Sequence, residues 1–183
     1  HERSVPMLTA PGTGAAPKQP TWLFIVRALR YRNYRLFFGG QVVSLIGTWV
    51  TITASSWLVY RLTNSSWMLG VVAFASQFPS FLLAPLAGVY VDRWNRHRLL
   101  ILTQVLSMLQ SFALAALTLT GTITVPLIIV LSVIGGMINA FDVPCRQSLV
   151  VSLIENKEDL GNAIALNSSM FNAARLIGPS IAG

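Results

Sequence analysis

Charge is what this sequence has least of. Only 10% of its 183 residues are Asp, Glu, Lys or Arg, and 54% are apolar, whereas a soluble domain averages about 25% charged residues. Water is thereby excluded as the solvent for most of the chain. Cysteine is reduced to Cys145, which excludes an intramolecular disulfide or a multi-cysteine metal site within the chain. A small buried side chain is its expected role. The two histidines, His1 at the start and His97 in a basic cluster, assemble neither a His-rich metal site nor a Ser/His/Asp triad. No Gly-rich loop ending in Lys-Ser or Lys-Thr is present to cradle a phosphate. We therefore expect no enzyme, and no metal, nucleotide or organic cofactor. Acidic residues are outnumbered by basic ones, 6 against 13. Such an excess marks either a nucleic-acid binder or a membrane topology, so the placement of the charges decides.

What is present is a set of long apolar runs. From Leu36 to Tyr60 the chain carries no charge for 25 residues, enough at about 1.5 Å per residue to cross a hydrocarbon layer roughly 30 Å thick. A polar turn, Arg61 to Ser66, leads into a second uncharged run of 25 residues, 67–91, with Trp67 at an expected interface. No charge then appears from Leu99 through Phe141, a length for two helices. The break falls at Gly121-Thr122-Ile123-Thr124-Val125-Pro126, where Gly ends one helix and Pro opens the next. This predicts a third span over 99–120 and a fourth over 125–143. A polar amphipathic stretch from Cys145 to Asn162 precedes a fifth apolar run, 163–183.

The opening His1 and the unclosed run at Gly183 lead us to expect a longer protein, with Met7 as initiator. Residues 1–30 read as a cytoplasmic, largely disordered tail, rich in Pro, Gly, Thr and Ala as far as Pro20 and without a secretory signal peptide. Residues 31–183 form the membrane domain. Eleven basic residues, including Arg27, Arg30, Arg32, Arg35, Arg93, Arg96, Arg98 and Arg146, fall on the side that holds the amino terminus. The opposite side has only Arg61, and Arg175 lies within the fifth run. By the positive-inside rule the amino terminus is cytoplasmic, and the basic residues serve topology beside anionic lipid; no nucleic acid is expected as a partner.

The most specific local signal is Gly88-Val89-Tyr90-Val91-Asp92-Arg93-Trp94-Asn95-Arg96-His97-Arg98, between the second and third spans. Here the chain resembles the major facilitator superfamily, with Asn95 where many members have Gly and His97 where many have Lys or Arg. The resemblance implies an all-α membrane protein, a transmembrane helix bundle forming the first five helices of a twelve-helix fold. It implies further that Gly88, Asp92, Arg93, Arg96 and Arg98 latch the two halves of a transporter in one conformation. Gly88 also removes a side chain where another helix approaches. Gly178-Pro179-Ser180-Ile181-Ala182-Gly183 is similar to the Gly-Pro motif in the fifth span of exporters and antiporters, with Ala182 where a second Gly is common. Pro179 with Gly178 and Gly183 makes either a bend or a tight interhelical seam. Arg32-Asn33-Tyr34-Arg35 and Pro144-Cys145-Arg146-Gln147 resemble the branch of bacterial siderophore (enterobactin) exporters.

Three polar features remain inside the runs. Gln41, Ser44, Thr48, Thr51 and Ser55 recur at steps of three and four, one stripe on an apolar helix. It either bonds to neighbouring helices or lines a substrate cavity. Gly135, Asn139, Asp142 and Arg146 form a second stripe; Asp142 and Arg146 are spaced to pair, structurally or as part of a gate. No acid sits in the middle of the first three spans, so Asp142 is the candidate in the fourth for coupling to an ion, with the carboxy-terminal half as the other place to look. Arg175, with Asn172 on the same face, either lines the route of an anionic or catecholate-bearing substrate or is fixed in an ion pair. The expected function is secondary active export of a small organic molecule by alternating access, an efflux antiporter of the inner membrane. Its expected partners are that substrate, membrane lipid and the carboxy-terminal half of the same transporter. The alternative is a non-transporting membrane scaffold or truncated subunit, for which the 88–98 loop would have no use. Alkaline phosphatase fused after Asn64 or Gly121 is expected to be active and fused after Asn95 inactive; the reverse pattern would overturn the orientation.

Overall fold

The computed structural model describes residues 27–154 and 157–182. Most of the tail expected over 1–30, and Gly183, lie outside the described residues. A single 3-10 turn at Arg27–Arg30 leads into five helices: α1 (Arg32–Thr63), α2 (Ser66–Arg93), α3 (Arg96–Leu119), α4 (Val125–Leu153) and α5 (Lys157–Ala182). The breaks between them have local causes. Asn64 stops α1 in the left-handed region, φ 49°, and its N–H returns to the Tyr60 carbonyl. Asn95 opens α3 by accepting the N–H groups of His97 and Arg98 at 3.1 and 3.2 Å. Gly121, φ 69°, makes the turn after α3, and Pro126 stands in the first turn of α4, where no helical partner for its nitrogen is needed.

Two boundaries differ most from those read in the sequence. The fourth span does not stop at Val143, for α4 runs through Pro144 to Leu153. Proline removes one backbone donor, but the turns beyond it are held by packing: Cys145 and Leu149 are buried against Val91, Leu99 and Leu100, and Val150 against Tyr34 and Ala163. The fifth helix begins at Lys157 rather than 163, because the start of α1 grips its first turns. Tyr31 donates its hydroxyl to Asp159 and Tyr34 to the Ala163 carbonyl, each at 3.1 Å.

Among the described residues four helices, α1 to α4, are long and apolar enough to cross a membrane; α5 has the length, 26 residues, but is more polar. Large apolar side chains face outward, Phe74, Phe81 and Leu82 of α2 at 61–80% exposure. A face like this suits hydrocarbon rather than water.

The helices pair in a fixed pattern: α2 along α4, α1 along α5 and α3 along α4. Glycine sets the closest approaches. A Cβ on Gly136 would run into the Ser76 carbonyl of α2, where Ser80 also donates to the Gly136 carbonyl at 2.6 Å. A Cβ on Gly178 would collide with Trp49 of α1, so the Gly178-Pro179 segment is a seam, and α5 continues through Pro179 to Ala182. The close approach expected at Gly88 is not made within the described residues, since nothing lies within 4 Å of its missing Cβ. Gly136→Ala should therefore cost about 1–3 kcal/mol of stability and Gly88→Ala close to nothing, read by unfolding in mixed detergent micelles. Equal losses at the two positions would contradict the packing described.

Candidate functional site

A carboxylate in an apolar bundle must find donors or lose its charge. Asp142, 4% exposed, finds three. Arg146, one turn further along α4, forms the ion pair that their spacing predicts. Thr103 and Gln104, neighbours on α3, each donate to Oδ1 at 2.9 Å. The Gln104 carbonyl oxygen in turn accepts the hydroxyl of Ser44 on α1. A continuous polar seam thus ties α4 to α3 and α3 to α1. One to two turns further along, Thr51 and Ser111 repeat the α1 to α3 contact at 3.3 Å.

The α1 stripe therefore faces α3. Gln41, Ser44, Thr48 and Thr51 all line a cleft of about 1260 Å³ between the two helices, with Gln104 and Ser111 opposite. Its remaining walls are largely apolar, among them Met108 and Phe112. Asn33, His97 and Ser107 line it as well, whereas the α1 hydroxyls are engaged within the protein. Thr48 and Thr51 donate to the Ser44 and Gly47 carbonyls of their own helix at 3.0 and 2.9 Å, and Ser44 donates to Gln104. Gln41 is buried at 4% exposure, and its Oε1 has no partner among the described residues. Both sequence readings of the stripe meet here: it bonds to a neighbouring helix and it faces a cavity.

Arg175 and Asn172 do not belong to this cleft. Asn172 is exposed on α5 and donates back to the Ser168 carbonyl at 2.9 Å. Arg175 is exposed too, its guanidinium 5.7 Å from the centre of the Trp49 ring. The α1 stripe and the Arg175 and Asn172 pair thus lie in two places, because α5 packs on a different side of α1 from α3. Phe38, Val42 and Ile46 turn toward α5, whereas Ser44, Thr48 and Thr51 turn toward α3.

At the end of α2 the loop is only Trp94 and Asn95. Asp92 stands 3.8 Å from Arg96 with its side chain 76% exposed. Arg93 and Arg98 are exposed as well. Trp94 packs edge-on against Tyr90, ring centres 5.9 Å apart. Buried Cys145 donates its thiol to the Arg96 carbonyl at 3.0 Å, which fixes the start of α3 against α4. The sequence reading did not single out Thr103, Gln104 or Ser111, the α3 side of the seam. Their signal was present, since Gln104, Ser107 and Ser111 recur at steps of three and four in the third run.

Apolar helices that turn their polar groups inward define a multi-pass helical membrane protein. The chain belongs to the major facilitator superfamily: the family model described as transmembrane secretion effector matches residues 12–183. It is 31% identical over 150 residues to the Staphyloferrin A transporter of Staphylococcus aureus, covering 81% of this chain and 38% of that protein. It is 28% identical over 141 residues to Multidrug efflux pump Tap of Mycolicibacterium fortuitum, covering 75% and 34%. It is 23% identical over 157 residues to Macrolide efflux protein A of Streptococcus pyogenes, covering 84% and 38%. The chain thus spans little more than a third of the length of these bacterial relatives, which by name are transporters and efflux proteins rather than enzymes. No solved structure matches it significantly.

The seam makes a stability prediction. Asp142→Leu alone should cost about 3–5 kcal/mol by leaving Arg146 buried without its partner, and adding Arg146→Met should restore much of that loss. A double variant no more stable than Asp142→Leu in equilibrium unfolding would contradict the pairing.

Proposed function

We propose that this chain is the leading part of a secondary transporter that exports a small organic molecule by alternating access across a bacterial cell membrane, with its amino terminus in the cytoplasm. The observation that carries this reading is the contrast between a welded interior and a free loop. Asp142, Arg146, Thr103, Gln104 and Ser44 bind α1, α3 and α4 into one body. A body of that kind suits a mechanism in which helices rock as a unit about a site near the bilayer midplane. Beside it, the side chains of Asp92, Arg93 and Arg98 are exposed, and among the described residues their ion pairing is limited to the weak Asp92 to Arg96 contact.

In this mechanism the exposed Asp92 carboxylate accepts donors from the other half of the transporter when the two halves close on the cytoplasmic side, and releases them when they part. Arg93, Arg96 and Arg98 hold that end at the anionic leaflet, and Gly88 leaves room on the last turn of α2 for a helix of the other half. The Asp142 and Arg146 pair is then a structural element of the rocking body; it becomes part of the gate only if it exchanges partners during the cycle. Transport itself needs no covalent chemistry from the chain. Export is favoured over uptake by the Gly178-Pro179 seam and by the efflux named in two of the relatives, and the basic side of the helices supports the orientation.

The test is accumulation of a panel of siderophores, drugs and lysolipids in bacterial cells carrying the full-length protein. At least one compound should accumulate several-fold less than in cells without it. Asp92→Asn should remove most of that difference while the amount of protein in the membrane stays the same. Equal accumulation for the whole panel would count against export, and normal export by Asp92→Asn would count against the latch.

A further inference from the structure

The cleft between α1 and α3 is not where this chain offers an unpaired arginine. The α1 hydroxyls that face the α1/α3 cleft, Ser44, Thr48 and Thr51, donate their protons within the protein, whereas Arg175 on the other side of α1 forms no ion pair with the described residues. Its surroundings are aromatic: the guanidinium lies over the Trp49 indole, and Phe171, one turn earlier on α5, meets that indole edge-on at 5.8 Å and 73°. Gly178, one turn later, lets α5 lie directly on Trp49, so the indole is wedged and the guanidinium is held beside it.

Depth separates the sources of an anion for this guanidinium. Trp49 is 17 residues from Arg32 and 14 from Thr63, close to the middle of α1. At about 1.5 Å per residue it lies more than 20 Å from the start of the helix and about 21 Å from its end. A phospholipid headgroup is confined to the boundary of a hydrocarbon layer about 30 Å thick. The midplane is where secondary transporters hold their substrates.

We infer that Arg175, Trp49 and Phe171 form a binding site for the carboxylate of an aromatic acid, with the carboxylate on the guanidinium and the ring against the indole. This rests on the transporter reading above and adds the substrate class to it. The fit is chemical: a guanidinium fork matches a carboxylate in two parallel hydrogen bonds, and a flat ring shares the indole surface at little conformational cost.

The probe pair is salicylate and salicylamide, which share ring and hydroxyl and differ in charge, titrated into the full-length protein in phosphatidylcholine nanodiscs by calorimetry. Salicylate should bind at least about tenfold more tightly, the discrimination of one charge-assisted hydrogen bond. Arg175→Gln should abolish that preference and leave the amide's affinity in place; Arg175→Lys should keep part of it. Trp49→Leu should weaken both probes together. Equal binding of the two probes to the parent protein, or a preference that survives in Arg175→Gln, would overturn the site. Loss of salicylate binding on adding phosphatidylglycerol would assign the guanidinium to a headgroup and overturn it too. Because binding is read without transport, a preserved preference in a protein that exports nothing would refute export and leave the site standing. Export with a charge preference indifferent to Arg175 would do the opposite.

Discussion

Hydrocarbon offers no hydrogen bond, and the polar seam of this bundle is placed by that fact. Asp142 is the extreme case. A buried carboxylate is stable only with its lone pairs filled, and filling them requires α3 to present Thr103 and Gln104 at one level and α4 to present Arg146 one turn on. Gln104 then has a carbonyl oxygen left, which Ser44 of α1 occupies. The order in which three helices meet is thus written in the coordination of one acid. The remaining contacts, Gly136 on Ser76 and Gly178 on Trp49, bring α2 and α5 onto this frame by shape rather than by charge.

Much of the fold was legible because apolar length and helix breakers are local properties. The uncharged runs located the helices, and Asn64, Gly121 and Pro126 stand at their ends. What was not legible depends on contacts between distant segments. Pro144 looks like a stop until Cys145 and Leu149 are seen packed on Val91, Leu99 and Leu100. Asn95, a departure from the usual Gly of its loop, proves to cap α3 with its side chain. The spacing of Asp142 and Arg146 announced their pairing, but their third and fourth partners lay on a helix whose stripe is diluted by neighbours such as Val105 and Met108. The helical period also cannot say which side of α1 a given neighbour takes, and so the sequence leaves open that Arg175 and the polar stripe meet different faces of α1.

The chain therefore has two different faces about α1. Toward α3, Ser44 and Thr51 are spent on cohesion, and the space left over is bounded largely by apolar walls. Toward α5 the helices touch closely at Gly178, and an exposed guanidinium beside an indole is left over. Volume and chemical capacity are separated in this bundle. In the first case hydroxyls, Gln104 and Asp142 satisfy one another; in the second a charge stands ready for something outside the chain.

All of this requires that the outer faces of the helices meet lipid and the seam meet protein. Spin labels placed singly from Leu99 to Leu119 of α3, in the full-length protein in bilayers, report this through collision with oxygen and with a water-soluble nickel complex. Oxygen should reach Leu102, Leu106 and Leu109 freely and nickel hardly at all, while both are excluded from Thr103 and Leu114. Nickel collisions at Leu102, Leu106 and Leu109 as frequent as those of oxygen would mean that water surrounds the helix, and the account would be wrong.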